Sequence, residues 1–465
     1  MPGALGLGQA TATTITSIFS VLFFLTPLPL GILSDGWLGR YRTMILSLVL
    51  LLLGYVLLVV SAIPHLILHG ARLGCLVVSM VLICLGQGGL GAIMFAFIGD
   101  QIPDTDLVIH KDSGNKTVVL DRKMTIQFVF NTYFWATNVA SNSMIATTMM
   151  ERISFWSAYL MPTAVLAISL VPLILWSSQL TRPPLQENAL PHAVRVVLIA
   201  CRKGFHLSAA DPSQQNRIVS WNSSFISEMR RGLKTCQVMA IFIIFWLCYN
   251  QMSSNIISQA GQMELRGISN DTIGFLNTTA VVILSPVIQS LQGLLMRYKI
   301  SFGPIRRITA GFVCATIAMG YTAGLQKLIY SRGPCYSRPL DCPAAYTKHG
   351  YRLPNEVNVW LQAPVYVLFG AAEILGYVSM AEYAYAESPK NMKAVIQALS
   401  QLTIALGSLL CTALGSVSKD PLLVTLYSCL TGIMGLSTAI FWLVFRNYDR
   451  RETHEAFDAE SDSTA

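Results

Sequence analysis

Eleven apolar runs, each close to 20 residues long, recur along this chain at 11–33, 44–64, 73–99, 125–149, 154–176, 237–259, 272–295, 304–328, 358–383, 394–416 and 421–445. About 20 apolar residues in a helix match the roughly 30 Å hydrocarbon core of a bilayer. Inside lipid every backbone N–H and C=O must find its partner within the segment, so runs of this length are helices. The expected fold class is therefore all-α, a polytopic membrane protein with about 11 transmembrane helices. Composition agrees, since 12% of the residues are charged, against about 25% in soluble domains. No basic stretch precedes the first run, so a cleaved signal peptide is not expected.

Lys and Arg set the orientation. With Gly36–Thr43 in the cytoplasm and alternation from there, 23 of the 32 basic residues fall in cytoplasmic segments and nine outside. This obeys the positive-inside rule and places the C-terminus in the cytoplasm. It also accounts for the net charge of +8 as topology signals that meet anionic lipid headgroups. Nucleic acid is not an expected partner, because no compact basic domain carries the charge. The longest cytoplasmic stretch divides the chain. Residues 1–176 form one helical bundle of five spans, 177–235 a linker, 236–447 a second bundle of six spans, and 448–465 an acidic, disordered tail. Within the linker, Pro191–Phe205 mixes Arg195, Arg202 and Lys203 with Val196, Val197, Leu198 and Ile199. It reads either as an amphipathic helix on the membrane or as a solvated connector.

Cys335 and Cys342 sit in the long outer loop 329–357. An oxidising compartment makes them disulfide candidates, with two free thiols as the alternative. Asn270-Asp-Thr, on the outer side, fits a glycan acceptor; Asn115-Lys-Thr and Asn222-Ser-Ser, on the inner side, are not expected to be used.

The chain offers no chemistry of the usual enzymatic kinds. All seven histidines fall in loops or tails. There is no metal-ligand spacing, and neither a P-loop nor a nucleophile elbow occurs. No enzyme, metal or cofactor is expected. Work done by such a chain must draw on an ion gradient, and a titratable group inside the membrane is needed to couple to protons. Glu373 is that group. It lies within the apolar run 357–383, where a carboxylate costs roughly 2.5–3.5 kcal/mol to insert and usually faces a cavity. A Glu neutralised by a neighbouring helix for packing alone is the other reading. Uncharged polar and aromatic groups accompany it in the spans: Tyr133, Trp135 and Asn138, then Tyr249, Asn250 and Gln251, then Asn277. Such groups bind a polar ligand or bond across helices, at about 0.6–2 kcal/mol each.

A further string, Gly31-Ile-Leu-Ser-Asp35-Gly-Trp-Leu-Gly39-Arg40, resembles the loop signature of the major facilitator superfamily. Its glycines permit a tight turn, and Asp35 and Arg40 can form a charge pair that breaks when two halves rock. Gly86-Gln-Gly-Gly, Gly99-Asp-Gln, Tyr133-Phe-Trp-Ala-Thr-Asn138, Tyr249-Asn-Gln and Ser258-Gln-Ala-Gly-Gln-Met add to it. The strongest string is Glu373-Ile-Leu-Gly-Tyr-Val-Ser-Met-Ala-Glu382-Tyr-Ala-Tyr, continuing to Lys393. Together they resemble the proton-dependent oligopeptide transporters, in particular the fungal branch, from about Pro2 to Tyr448.

The resemblance implies a two-bundle fold of twelve helices and the import of di- and tripeptides with protons by alternating access, in a plasma-membrane protein that works as a monomer. Carried over residue by residue, it implies that Glu373 meets the peptide's amino group and takes part in proton coupling. Asn138 and Asn277 would line the pocket with Tyr133 and Trp135 beside it, and Tyr249 and Asn250, from the polar groups of the spans, are added as candidate pocket residues. Asp35, Gly39, Arg40 and Glu382 would act in gating. The chain departs from the family pattern in three places. It starts just after the expected position of the family's opening helix, with its Glu-x-x-Glu-Arg motif. Gly91 stands where a Lys is common, and Ser400 where a Trp is common. These departures keep two other readings open: a non-transporting or receptor-like homologue, and a transporter of a related non-peptide metabolite.

Overall fold

The computed structural model describes residues 9–63, 69–103, 107–111, 117–141, 154–183, 189–203, 207–212, 221–266, 272–298, 302–339, 342, 353–389 and 392–446. Among them, ten helices are long and apolar enough to cross a membrane. The run expected over 125–149 is met by α5 (Arg122–Ser141), which carries Arg122, Lys123, Gln127, Asn131 and Asn138 and is not among the ten; residues 142–153 lie outside the described residues. So do Asn115, Asn270 and the tail 448–465. Asn222 is described: its Oδ1 accepts the Phe225 N–H at 2.9 Å and caps the helix that follows.

Packing groups the chain into two compact units. The first comprises Met1–Ile126, Ser143–Gln237 and Tyr383–Ala405. It holds α1 (Gln9–Leu25), α2 (Pro27–Leu33), α3 (Arg40–Ala62), α4 (His69–Asp100), α6 (Phe155–Leu175) and α7 (Ala189–Arg202). α3 packs along α4 and α6, and the core beside it gathers Met44, Ile93 and Phe97 with Ala394 and Ala398. Between α4 and α5 the chain forms an antiparallel hairpin, β1 (Leu107–Lys111) with β2 (Thr117–Asp121), in the register Leu107↔Asp121. Within the linker, α7 is the amphipathic helix of the first expected reading, and it is packed against protein on one side. α7 turns buried Ala193 and Val196 onto Phe225, Ile226, Met229 and Leu207, and Ala200 is buried as well. Leu198, on the same helix, stays 53% exposed.

The second unit comprises Gln127–Asn142, Val238–Glu382 and Leu406–Ala465. α8 (Ser223–Tyr249) enters it from Val238 onward. The run 237–259 is broken after Tyr249, and the chain restarts as α9 (Asn255–Gly261). Ser253 and Ser254 both donate their hydroxyls to the Asn250 carbonyl, at 3.2 and 3.0 Å. Such side-chain bonds compete with the helical ladder. α10 (Phe275–Arg297), α11 (Pro304–Ser331), α12 (Ala363–Ala372), α13 (Ser379–Glu387), α14 (Lys393–Ala413) and α15 (Leu423–Phe445) follow. From Tyr383 onward, α13 and the start of α14 to Ala405 belong to the first unit. α11 packs against α12 and α15 around Phe242, Phe245, Phe312 and Phe441, whose rings meet at 4.9–5.8 Å. A short parallel pair, β3 (Met263–Glu264) with β4 (Asn355–Asn358), ties the loop after α9 to the loop after α11. Cys335 and Cys342 are joined by a disulfide in that second loop.

Candidate functional site

α12 ends at Ala372, and the next six residues, Glu373–Val378, form a π-helical turn. Such turns insert one residue into a helix and are frequent at functional sites. Close approach of α11 shapes this one. A Cβ on Gly311 would stand 2.7 Å from the Gly376 nitrogen and 2.9 Å from the Ala372 carbonyl oxygen, so only glycine lets the two backbones meet here. Glu373 opens the turn and is 8% exposed.

Two residues from other helices reach it. Asn277, in the first turn of α10, donates Nδ2–H to Glu373 Oε2 at 3.0 Å. The same amide nitrogen lies 3.1 Å from the hydroxyl of Tyr249, the last residue of α8. The amide is thus shared between a carboxylate and a phenol. Its other end, Asn277 Oδ1, is buried and has no hydrogen-bond partner. A buried carbonyl oxygen left open beside a carboxylate is costly, and it is a ready acceptor for a ligand N–H. A carboxylate flanked by an amide acceptor suits an ammonium group, which brings three donors.

Aromatic rings wall this cluster. Phe134 of α5 meets Tyr377 at 6.0 Å, Tyr377 meets Trp246 at 5.4 Å, Trp246 meets Tyr249 at 5.3 Å, and Tyr249 meets Phe369 at 5.9 Å. Sequence reasoning missed Tyr377, Trp246 and Phe369. Tyr377 was within reach, since it follows Glu373 by four residues. The other expected pocket residues are placed as follows. Trp135 donates Nε1–H to the Val282 carbonyl at 3.1 Å. That carbonyl is left over in α10 because Pro286, four residues on, has no N–H. Asn138 donates to its own helix at Phe134 O, at 2.9 Å, and Tyr133 is half-buried on the same helix. Asn250 is engaged away from Glu373, donating to Ser408 Oγ of α14 at 2.9 Å.

Two ion-pair clusters complete the expected set. In the first unit, Ser34–Leu38 is a second π-helical turn, ended by Gly39 at φ 78°, a conformation natural to glycine. Buried Arg40 bridges Asp35 at 3.3 Å and Asp100. Asp35 Oδ2 accepts the Val395 N–H at 3.0 Å, near the N-terminus of α14. Lys393, 3.7 Å from Asp100, also lies over the Tyr385 ring, and Tyr385 donates to Asp100 at 3.2 Å. Charges distant in sequence thus extend the expected Asp35–Arg40 pair to five side chains. In the second unit Glu382 receives both Arg307 terminal nitrogens, at 2.7 and 2.8 Å. At Gly91 an added Cβ would meet only Gln401, at 3.8 Å. Ser400 is buried, its hydroxyl donating to Gln397 O. Among the described residues, no group of His, Cys, Asp and Glu is arranged to hold a metal.

Comparison with known proteins agrees with this layout. The POT family model matches residues 41–425. Peptide transporter PTR_C of Candidozyma auris is 34% identical over 99% of this chain and 80% of its own length. The probable peptide transporter ptr2 of Schizosaccharomyces pombe is 32% identical over 98% of this chain and 73% of its own. Peptide transporter PTR2 of Saccharomyces cerevisiae is 32% identical over 99% and 76%. Among solved structures, the in meso crystal structure of the POT family transporter PepTSo superposes with a TM-score of 0.64, at 19% identity, covering 95% of this chain and 90% of that one. That likeness shows a shared all-α fold. With its helices, its carboxylate-centred site and these relatives, the chain belongs to the POT family.

Proposed function

We propose that this protein imports di- and tripeptides across the plasma membrane together with protons, by alternating access, as a monomer with its C-terminus in the cytoplasm. The observation that carries the reading is the buried Glu373–Asn277–Tyr249 cluster with its open Asn277 acceptor. The peptide transporters of three yeasts, each matched over nearly the whole chain, support the substrate class. Glu373 takes the peptide's terminal ammonium when substrate is bound. When substrate leaves, a proton takes its place, because a bare carboxylate in the membrane is expensive. Asn277 orients the ammonium through Oδ1, and the surrounding rings keep water away from the pair. Residues 1–176 and 236–447 serve as the two bundles, joined by the linker 177–235. Breaking and remaking the Asp35–Arg40–Asp100 and Arg307–Glu382 pairs accompanies the change of access.

Labelled dipeptide uptake at acidic and neutral outside pH, in cells lacking their own peptide transporter, tests this. The chain is expressed as it stands and with any upstream in-frame coding sequence. Acid-stimulated uptake is expected. No uptake at either pH from protein at the cell surface would overturn the reading.

A further inference from the structure

A cavity of about 370 Å³ opens in the second unit, away from Glu373, and shares no lining residue with the cluster described above. It lies where the loops after α9, α11 and α14 meet. Asn255, Ser258, Arg338, Ser418, Lys419 and Asp420 line it, and its volume falls in the range of about 300–1,000 Å³ typical of small-molecule sites. Three of these residues are charged. Among the described residues, none of Asp420, Arg338 and Lys419 makes an ion pair.

Asp420 is held in place from within the protein. A file of buried glutamines donates hydrogen bonds in one direction toward it. Gln362 donates to Gln259 at 2.8 Å, Gln259 to Gln326 at 2.7 Å, Gln326 to Gln262 at 2.8 Å, and Gln262 to both Asp420 oxygens at 3.0 and 3.3 Å. Tyr330 adds its hydroxyl to Asp420 Oδ1. Aligned amides polarise one another, so the file presents its carbonyl ends away from the carboxylate and its donors toward it. This stabilises and orients an anion. A carboxylate has about four acceptor positions, and two donor groups leave capacity for a ligand. The same cavity carries two cations that make no ion pair among the described residues, and a mostly polar lining with Leu423 at one side. Its chemistry fits the two ends that small peptides have in common and does not select side chains.

We propose that this cavity is a second, peripheral binding site for zwitterionic small peptides. Asp420 takes the terminal ammonium, and Arg338 and Lys419 take the terminal carboxylate. The site captures substrate before it reaches Glu373, an assignment that rests on the peptide-import reading. The disulfide Cys335–Cys342, in the loop that supplies Arg338, fits a cavity that faces an oxidising outer side.

The test is equilibrium binding of labelled Ala-Ala to the purified full chain in lipid nanodiscs, run beside uptake. Glu373→Gln leaves a class of binding that is lost when Asp420→Asn is added. Arg338→Gln weakens that class about ten-fold, as expected for one lost charge-assisted hydrogen bond. N-acetyl-Ala-Ala and Ala-Ala amide each bind it at least ten-fold less well. Arg338 is exposed and its side chain has no hydrogen-bond partner, so its variant decides the matter if Asp420→Asn fails to fold. Identical binding curves for wild type, Asp420→Asn and Arg338→Gln overturn the site, as does the absence of Ala-Ala binding to wild type. Asp420-dependent binding without any uptake retains the site and overturns the import reading. Uptake with no Asp420-dependent binding does the reverse.

Discussion

Asn277 Nδ2 lies 3.0 Å from Glu373 Oε2 and 3.1 Å from the Tyr249 hydroxyl, while Asn277 Oδ1 is buried with no partner. One amide therefore holds the carboxylate with one end and waits for a donor with the other. Asn277→Ala removes both functions. Hydrogen bonds to charged groups contribute about 1.5–3 kcal/mol, so dipeptide uptake should fall at least ten-fold in Vmax/KM. Surface biotinylation checks that the protein still reaches the membrane. Unchanged uptake would show that Asn277 only joins helices.

Glu373→Gln keeps the shape of the side chain and a hydrogen-bonding amide but cannot exchange a proton. Proton-driven uptake should be abolished while surface expression persists. Wild-type acid stimulation in this variant would remove Glu373 from the coupling role.

Arg307 and Glu382 form a bidentate pair, and both residues are buried. Arg307→Ala strands the carboxylate, which should cost about 3–5 kcal/mol and lower the melting temperature in detergent. Replacing both, as Arg307→Met with Glu382→Leu, should recover most of the stability, because no unpaired charge remains. If transport nevertheless stays lost in the stable double variant, the pair acts in gating.

Arg40 neutralises two carboxylates, Asp35 and Asp100. Arg40→Ala and Asp100→Ala should be strongly non-additive in a double-mutant cycle, with a coupling of about 0.5–3 kcal/mol. Thermal unfolding of the purified protein measures it. Additive effects would mean that the contact contributes nothing in the membrane.

Gly311 and Gly91 should respond in opposite ways. Gly311→Val drives side-chain atoms into the backbone of the Glu373 turn. Overpacking of this kind costs about 1–3 kcal/mol, and uptake should be lost. Gly91→Ala meets only Gln401 at ordinary contact distance and should leave expression and uptake near wild type.

Helix number and helix positions were largely legible in the sequence, because a bilayer demands about 20 apolar residues per span and the chain repeats that length. Where polar groups interrupt a run, as at Tyr249-Asn250-Gln251 or in α5, the period weakens and so did the reading of the helix. Glu373 was legible for the same reason in reverse, as a charge where hydrocarbon should be.

The sequence by itself thus determined that the chain is a membrane-spanning helical protein, and which carboxylate stands out in it. It could not say what that carboxylate touches. Asn277 and Glu373 lie 96 residues apart, and Asp35 and Val395 360 apart, and no local period reports such distances. The π-turn at Glu373, the approach of Gly311, the packing of α7 against α8, and the glutamine file leading to Asp420 were decided only by the tertiary structure. For the polar contacts among them the physical reason is shared. In a membrane interior, buried polar groups must find partners, and which partners they find depends on how the helices pack.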